Sequence, residues 1–471
     1  MDGIARITDV RLIEAAVEQL RKGFVGPLHS PADDCYEEVR AIWNGAIRHR
    51  PALVARCTGA ADVLAALRFA RDRGLEISVR GGGHAVAGHA LCDGGVLIDL
   101  SPMTSVRVDP ESRPPRARAG GGALWSHVDR ETQAFGLAVT GGIVTHTGIG
   151  GLTLGGGIGH LMRKLGLTID NLRSCDVVTA DGRLVVASAD AHEDLFWGLR
   201  GGGGNFGIVT SFEYEVHPVG PTVLAGMLLY RLDAAADVLA YFRDYVAEAP
   251  DEVGILGNLR LAPPLPIVPS DLHGKPVVAI IVCYCGDVED GKDEFERLRN
   301  FKSPALDAIA PKPYAAHQAM FDAALPHGRG YYWKSCALPP LTDEMIDVLI
   351  RQAEKITSRF STMPLFTLGG AVARVPEDAT AFPNRNAQHN VNIVGAWEIN
   401  DPDPGRHMAW VRETWEAMQP FSTGGYVNFM SDEPADRLRA LYGPDKYERL
   451  VALKRRYDPE NMFRHNQNIA P

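Results

Sequence analysis

The pattern of apolar and polar positions changes character near residue 219. Before it, short apolar runs each lead into a cluster of glycines. PALVARC (51–57) reads as a strand, and ADVLAALRFARDRG (61–74) as an amphipathic helix that stops at Gly74. EISVR (76–80) and VLIDL (96–100) are further strands, and ARAGGGAL (117–124) is another that turns into a helix near Leu124. CDVVTADGRLVVAS (175–188) reads as a hairpin with Asp181-Gly182 at its turn. Residues 1–50 read as mostly helical, and 141–172 as a glycine-rich wall without regular structure.

After His217-Pro218 the glycine clusters thin out. Alternating strands take over, among them VVAIIVCYC (277–285), YYWKSCAL (331–338), LFTLGGAVARV (365–375) and NVNIVGAWEI (390–399), with helices between them. This predicts an α+β unit built on an antiparallel sheet. Residues 436–457 return to helix.

Composition narrows the function. Glycine accounts for 49 of 471 residues, above the usual ~7%, and without the period of three that collagen requires. A net charge of −10 with no long basic run argues against nucleic-acid binding. No stretch approaches the ~20 apolar residues of a membrane helix. Seven scattered cysteines and a polar N-terminus fit a reduced, cytoplasmic protein, a monomer or small homo-oligomer.

Several motifs fail on context. Gly202 to Gly207 fits G-x-G-x-x-G, but a helix precedes it and a strand follows, the reverse of a dinucleotide fingerprint. Gly286 to Lys292 nearly matches a phosphate loop, yet Asp293 stands where a Ser or Thr is needed and acids crowd the turn. No metal motif is present, and Cys283-x-Cys285 reads as a buried pair on a strand. What remains is glycine-rich backbone at 80–89, 120–122, 141–159 and 201–207. Such loops present N–H groups to anionic oxygens, and their number suggests a long ligand such as a dinucleotide with a ring system.

RGGGHAVAGHALCDGGVLIDLSPM (80–103), TGIGGLTLGGGIGHLMRKLGLTIDNL (147–172), LRGGGGNFGIVTSFEYEV (199–216) and YDPENMFRHNQNIAP (457–471) together resemble the berberine bridge enzyme-like flavoprotein oxidases of the vanillyl-alcohol oxidase (PCMH) type. The resemblance implies an FAD-binding domain over 1–219, its core about 48–219, completed by 421–471. It implies a substrate domain over 220–420 whose antiparallel sheet caps the flavin ring. The chain would then be an FAD-dependent oxidase that takes a hydride from a small organic substrate (a secondary metabolite, alcohol or amine) and reduces O2 to H2O2. The alternatives are a flavin-dependent oxidative cyclase, a dehydrogenase with another acceptor, or a catalytically silent flavin-binding protein.

By the same resemblance, Arg80, Gly81, Gly82 and Gly83 cradle the FAD pyrophosphate and His84 bonds covalently to the flavin 8α-methyl carbon. A neutral imidazole nitrogen is a competent nucleophile for that bond. Gly88 and His89 close the loop, with His89 in a structural part. Gly148, Gly150, Gly151, Gly155, Gly156, Gly157 and Gly159 are implied along the cofactor. So are Asn171, Asn205, Gly207, Ile208, Val209, Asn428, Asn466 and Gln467.

Three departures from the family pattern matter. Relatives that attach flavin twice use a cysteine where this chain has Val144, so attachment through His84 only is expected. The Y-x-N-Y stretch whose last tyrosine serves as base reads Tyr426-Val427-Asn428-Phe429, and Asn392 stands where plant members place an acid or amide. Neither Phe429 nor Asn392 accepts a proton near neutral pH, which leaves Tyr426, Tyr332, Lys334 and Arg374 as candidates to line the pocket. Thr147 takes the position that gates oxygen, and its small side chain favours an oxidase.

Overall fold

A computed structural model describes residues 10–431, 433 and 435–471. Three parallel strands, Leu53–Arg56, Val96–Asp99 and Ile77–Arg80, form a small sheet with Val96–Asp99 at its centre, and Leu28–His29 adds an antiparallel edge. The Ala60–Arg71 helix connects two of these strands and buries Val63, Ala66, Leu67 and Ala70 against them. That burial is what keeps a helix with a glycine N-cap in place.

A second, antiparallel sheet runs in the order Val106–Asp109, Arg116–Gly120, Ile208–Glu215, Leu172–Val178, Leu184–Ser188. The expected hairpin is present: Val178 pairs with Leu184, and Gly182 supplies the positive φ of the turn. The C-terminal segment returns to this sheet, burying Leu438, Leu441, Leu450 and Leu453 in the same core as Trp197 and Phe206.

An eight-stranded antiparallel sheet spans 222–397. Its path is Leu306–Asp307, Thr222–Arg231, Pro276–Tyr284, Val253–Leu261, Thr362–Thr367, His389–Trp397, Gly330–Leu338, and Ala310–Pro313 also pairs with Thr222–Arg231. Helices Ala235–Glu248, Asp343–Ala353 and Gly405–Met418 cover one face. The other face meets Ile158, Met162, Leu167 and Ile169 of the glycine-rich half. The architecture is α+β.

Four expectations need correction. Between 22 and 50 the chain is mostly irregular, with one short helix at Tyr36–Arg40; the buried Asp62 carboxylate takes the Val25 and Gly26 amides and holds that stretch open. The wall at 141–172 does contain helices, Ile149–Gly155 and Met162–Leu165. LFTLGGAVARV is not one strand: it ends at Thr367, and Gly369 and Gly370, both at positive φ, turn it into the Gly370–Arg374 helix. The C-terminal helix is broken at Gly443 into Ala435–Tyr442 and Pro444–Tyr457. The near-phosphate loop runs into Val288–Asn300, a surface helix capped by Asp287. Cys283 and Cys285 are buried and free, although the strand ends at Tyr284 and leaves Cys285 just beyond it. No described helix is long and apolar enough to cross a membrane.

Candidate functional site

One long cavity runs between the glycine-rich half and the large sheet. Loops 81–87, 142–152 and 202–209 line its length, His465, Asn466 and Gln467 border it on one side, and the sheet residues Trp333, Thr362, Pro364, Phe366, Asn392 and Val394 border it on another. Backbones pass too closely here for side chains: a Cβ on Gly82 would lie 2.3 Å from the Gly148 nitrogen, and one on Gly148 equally close to Gly82. Among the described residues, the Gly82, Gly83 and His84 amides have no protein acceptor, and His89 Nε2 and Asn466 Oδ1 are buried without partners. Polar groups in such a wall are rarely left orphaned, so this end of the cavity is built for a hydrogen-bonding ligand, its anionic oxygens suited to the free amides and a donor of its own to Asn466 Oδ1. No Lys, Arg, Asp or Glu borders the cavity among the described residues.

His84 sits within this lining. Its ring stacks on Trp43 (centroids 4.9 Å, 18°), and Trp43 stacks in turn on Tyr331 (3.6 Å, 14°). His84 Nε2 lies 2.7 Å from His146 Nδ1, and its Nδ1 lies 3.5 Å from Thr147 Oγ1. Burial, reinforced by His146 and His327, pushes the His84 pKa well below the ordinary imidazole value, so the ring is neutral. Asp322 accepts from the Thr145 amide (2.8 Å) and hydroxyl (2.6 Å), pinning the loop that carries His146 and Thr147. The nitrogens of His84, His146 and His327 lie within 4.8 Å of one another, and the 2.7 Å contact between His84 and His146 has the length of a hydrogen bond. Sequence reading missed His146, His327 and Trp43, which come from separate loops and share no motif.

At the sheet the parity of each strand decides what faces the cavity. On Gly330–Leu338, Trp333 borders it, whereas Tyr332, Cys336 and Leu338 pack under the helices. Tyr332 and Lys334 are therefore not pocket residues: Arg412 Nε donates to the Tyr332 hydroxyl (3.2 Å), and Lys334 pairs with Glu433 (2.6 Å). Arg374 is exposed on its helix and pairs with Asp251. Asn392, Phe429, Thr147 and Tyr426 do border the cavity. Phe429 packs edge-on to Trp333 (5.7 Å) and Tyr426 (4.7 Å) and lies 5.5 Å from Phe366. The Tyr426 hydroxyl accepts from Gly157 N (2.9 Å) and Asn428 Nδ2 (2.8 Å). Burial raises its pKa to about 12 against the lowering effect of those donors and the Ile158 amide.

Two family descriptions match the chain: FAD binding domain over 51–188, and Berberine and berberine like over 425–470. (R)-6-hydroxynicotine oxidase of Paenarthrobacter nicotinovorans is 32% identical over 463 residues, covering 95% of this chain and 97% of that one. The chain belongs to the berberine bridge enzyme-like FAD-linked oxidoreductases. An FAD-linked oxidoreductase of Dictyostelium discoideum is 30% identical over 444 residues, 93% of either chain. Among solved structures, 6-hydroxy-D-nicotine oxidase from Arthrobacter nicotinovorans has a TM-score of 0.84 at 30% identity, covering 95% of this chain and 98% of its own. Berberine bridge enzyme from Eschscholzia californica shares the fold, with a TM-score of 0.83 at 22% identity and coverage of 97% and 99%.

Not every residue expected to touch the flavin of such an oxidoreductase borders the cavity. Gly81, Gly82, Gly83, His84, His89, Val144, Thr147, Gly148, Gly150, Gly151, Gly207, Ile208, Val209, Asn428, Asn466 and Gln467 do. Arg80 does not, because its guanidinium is spent on Asp99 and the Ala41 carbonyl. Gly88 faces Ile47, Gly155 faces Asn428, Gly156 faces Phe382, Gly157 faces Thr168 and Gly159 faces the Gly141 carbonyl. These glycines let protein approach protein. Asn171 caps the carbonyls of Leu165 and Leu167, and Asn205 ties down Gly202, Gln467 and Ile469.

Proposed function

We propose that this oxidoreductase is an oxidase that carries its FAD on His84 alone, takes a hydride from a small neutral organic substrate, an alcohol or amine among them, and uses O2. FAD, when bound, accepts the hydride and passes two electrons to O2, giving H2O2. The observation that carries the reading is the position of His84: a half-buried, neutral imidazole in a cavity lined by unpartnered amides and aromatic rings.

The residues fit the cofactor. The amides of Gly82, Gly83 and His84 would take anionic oxygens without a side chain intervening. Trp43 fixes the plane of the His84 ring, and His146 engages its Nε2, which leaves Nδ1 on the Thr147 side. Val144 borders the cavity and has no nucleophilic atom, which supports a single link. Trp333, Phe366 and Phe429 exclude water from the chamber where the substrate would lie. Thr147, a small residue bordering the cavity, would leave room for dioxygen, and the similar protein from Paenarthrobacter is named an oxidase. In this reading 1–219 with 421–471 hold the flavin and 220–420 cover it.

Acid precipitation tests the link: the pellet should stay yellow, and the flavin peptide should contain residue 84. Colour released wholly into the supernatant would overturn it. Peroxide formed in step with substrate oxidation under air tests the oxidase assignment, and electron transfer only to an added acceptor dye would refute it.

A further inference from the structure

Phe429, Asn392, Trp333 and Thr362 cannot ionise in the physiological range, and Tyr332 and Lys334 lie behind the sheet. Tyr426 is then the one acidic side chain at the aromatic end of the cavity among the described residues. Its hydrogen bonds decide what it can do. Asn428 Nδ2 faces the Gly151 and Leu152 carbonyls, each 3.2 Å away, so turning the amide over would set oxygen against oxygen. Asn428 must therefore donate to the Tyr426 oxygen, and Gly157 N donates to it as well. A phenol oxygen accepts two hydrogen bonds and donates one. Both acceptor positions are filled, the Ile158 amide also faces the oxygen, and no described residue accepts the O–H.

We infer that the Tyr426 hydroxyl is directed into the cavity as a hydrogen-bond donor, and that it selects neutral aromatic substrates carrying an acceptor atom. The inference rests on the proposed oxidase reading and adds the substrate class to it. Trp333, Phe366 and Phe429 supply ring-sized apolar walls, which reward an aromatic body. The lack of any Lys, Arg, Asp or Glu in the lining among the described residues disfavours a charged one, because a buried ion without a partner is costly. A donor already held by two N–H groups pays little to be oriented, so the acceptor of the ligand meets a fixed partner. Tyr426 is a specificity residue in this account. Its phenol stays protonated and gives a hydrogen bond.

The test uses flavin-loaded protein titrated with acetophenone, which has the acceptor, with ethylbenzene, which lacks it, and with benzoate, which adds a charge. Binding is read from the change in flavin absorbance. Tyr426→Phe should weaken acetophenone about three- to tenfold, the scale of one hydrogen bond, and leave ethylbenzene unchanged. Benzoate should bind at least tenfold more weakly than acetophenone. Equal losses for acetophenone and ethylbenzene would make Tyr426 a packing residue and overturn the inference. If Tyr426→Phe does not fold, the wild-type protein still decides: the carbonyl stretch of bound acetophenone should fall in frequency, as it does on accepting a hydrogen bond, and an unshifted stretch sinks the proposal. Protein that holds no flavin, or whose flavin no substrate reduces, would instead defeat the oxidase reading itself.

Discussion

Arg80 and Asp99 face each other across two parallel strands and share two hydrogen bonds, of 3.0 and 2.6 Å, with both side chains buried. The arginine that opens the glycine loop thus anchors the loop from behind. Burial alone would raise the Asp99 carboxyl, but Arg80 and Ser101 hold it below the ordinary carboxylate value. Arg80→Ala removes two charge-assisted hydrogen bonds from that carboxylate, leaving it Arg56 (3.3 Å) and Ser101, and should cost about 3 kcal/mol. The sign with pH follows from the lowered value. The stabilisation is present above the unfolded carboxylate value of about 3.9 and is lost as pH falls through the lower folded one. Thermal unfolding of wild type and variant should therefore differ widely at pH 7 and converge in acid; an Arg80→Ala protein as stable as wild type at pH 7 contradicts the anchor.

Covalent attachment can be tested from both directions. His84→Ala should fold and hold FAD through the loop amides, yet lose all colour to the supernatant on acid precipitation. In the unaltered protein no cysteinyl flavin should come from 141–151, since Val144 offers no sulfur. Val144→Cys supplies the missing sulfur at the cavity wall, and a second, cysteinyl link is expected in its digest. A cysteinyl flavin found before that change would show that the register of this loop was misread.

The glycine loops and most strands were legible because their signals are local: period-two alternation, turn dipeptides and glycine runs. What stayed hidden depends on which way a strand faces. Tyr332 and Trp333 are adjacent, and the sequence alone does not say which of them looks into the cavity; the aromatic walls of Phe366 and Phe429 on the other strand and loop settle it for Trp333. Arg374 was misplaced because Gly369-Gly370 reads as a tolerated irregularity in a strand, whereas two successive positive φ angles turn the chain. Arg80 borders a ligand loop in sequence, but its charge is claimed by Asp99, 19 residues away. His146 and His327 reach His84 only through tertiary contact.

A second buried carboxyl behaves in the opposite way. Asp129 is fully enclosed, with one hydrogen bond, from Gln318 Nε2 at 3.3 Å, and Oδ1 unpartnered. Burial, with the Asp322 charge adding to it against the Gln318 bond, pushes its pKa up to about 7. The folded protein then binds a proton that the unfolded chain releases above about pH 3.9, so stability falls as pH rises through 7. Asp129→Asn keeps the shape and removes the titration. The variant should match wild type near pH 4 and exceed it by a few kcal/mol at pH 8. A stability gain that does not change with pH would show that Asp129 is not the titrating group.

The chamber around Phe429 and Asn392 has consequences for the pH dependence of the reaction. Tyr426, held as a phenol with its pKa pushed up to about 12, is too weak an acid to change state in the usual working range. The His84 ring is neutral and half-buried. Among the described residues, no group at the aromatic end is then placed to draw a proton from the substrate between pH 5 and 10, so the substrate must reach the flavin already able to part with its hydride. The pH profile of flavin reduction should follow the pKa of the substrate and move with it when ring substituents alter that pKa. Rapid-mixing reduction with two substrates of different acidity makes the comparison. A profile that keeps one pKa for both would point to a protein base. In that case Tyr426→Phe should slow reduction by roughly 10²-fold, the scale of losing a general base, instead of the modest loss of binding expected from losing one hydrogen bond.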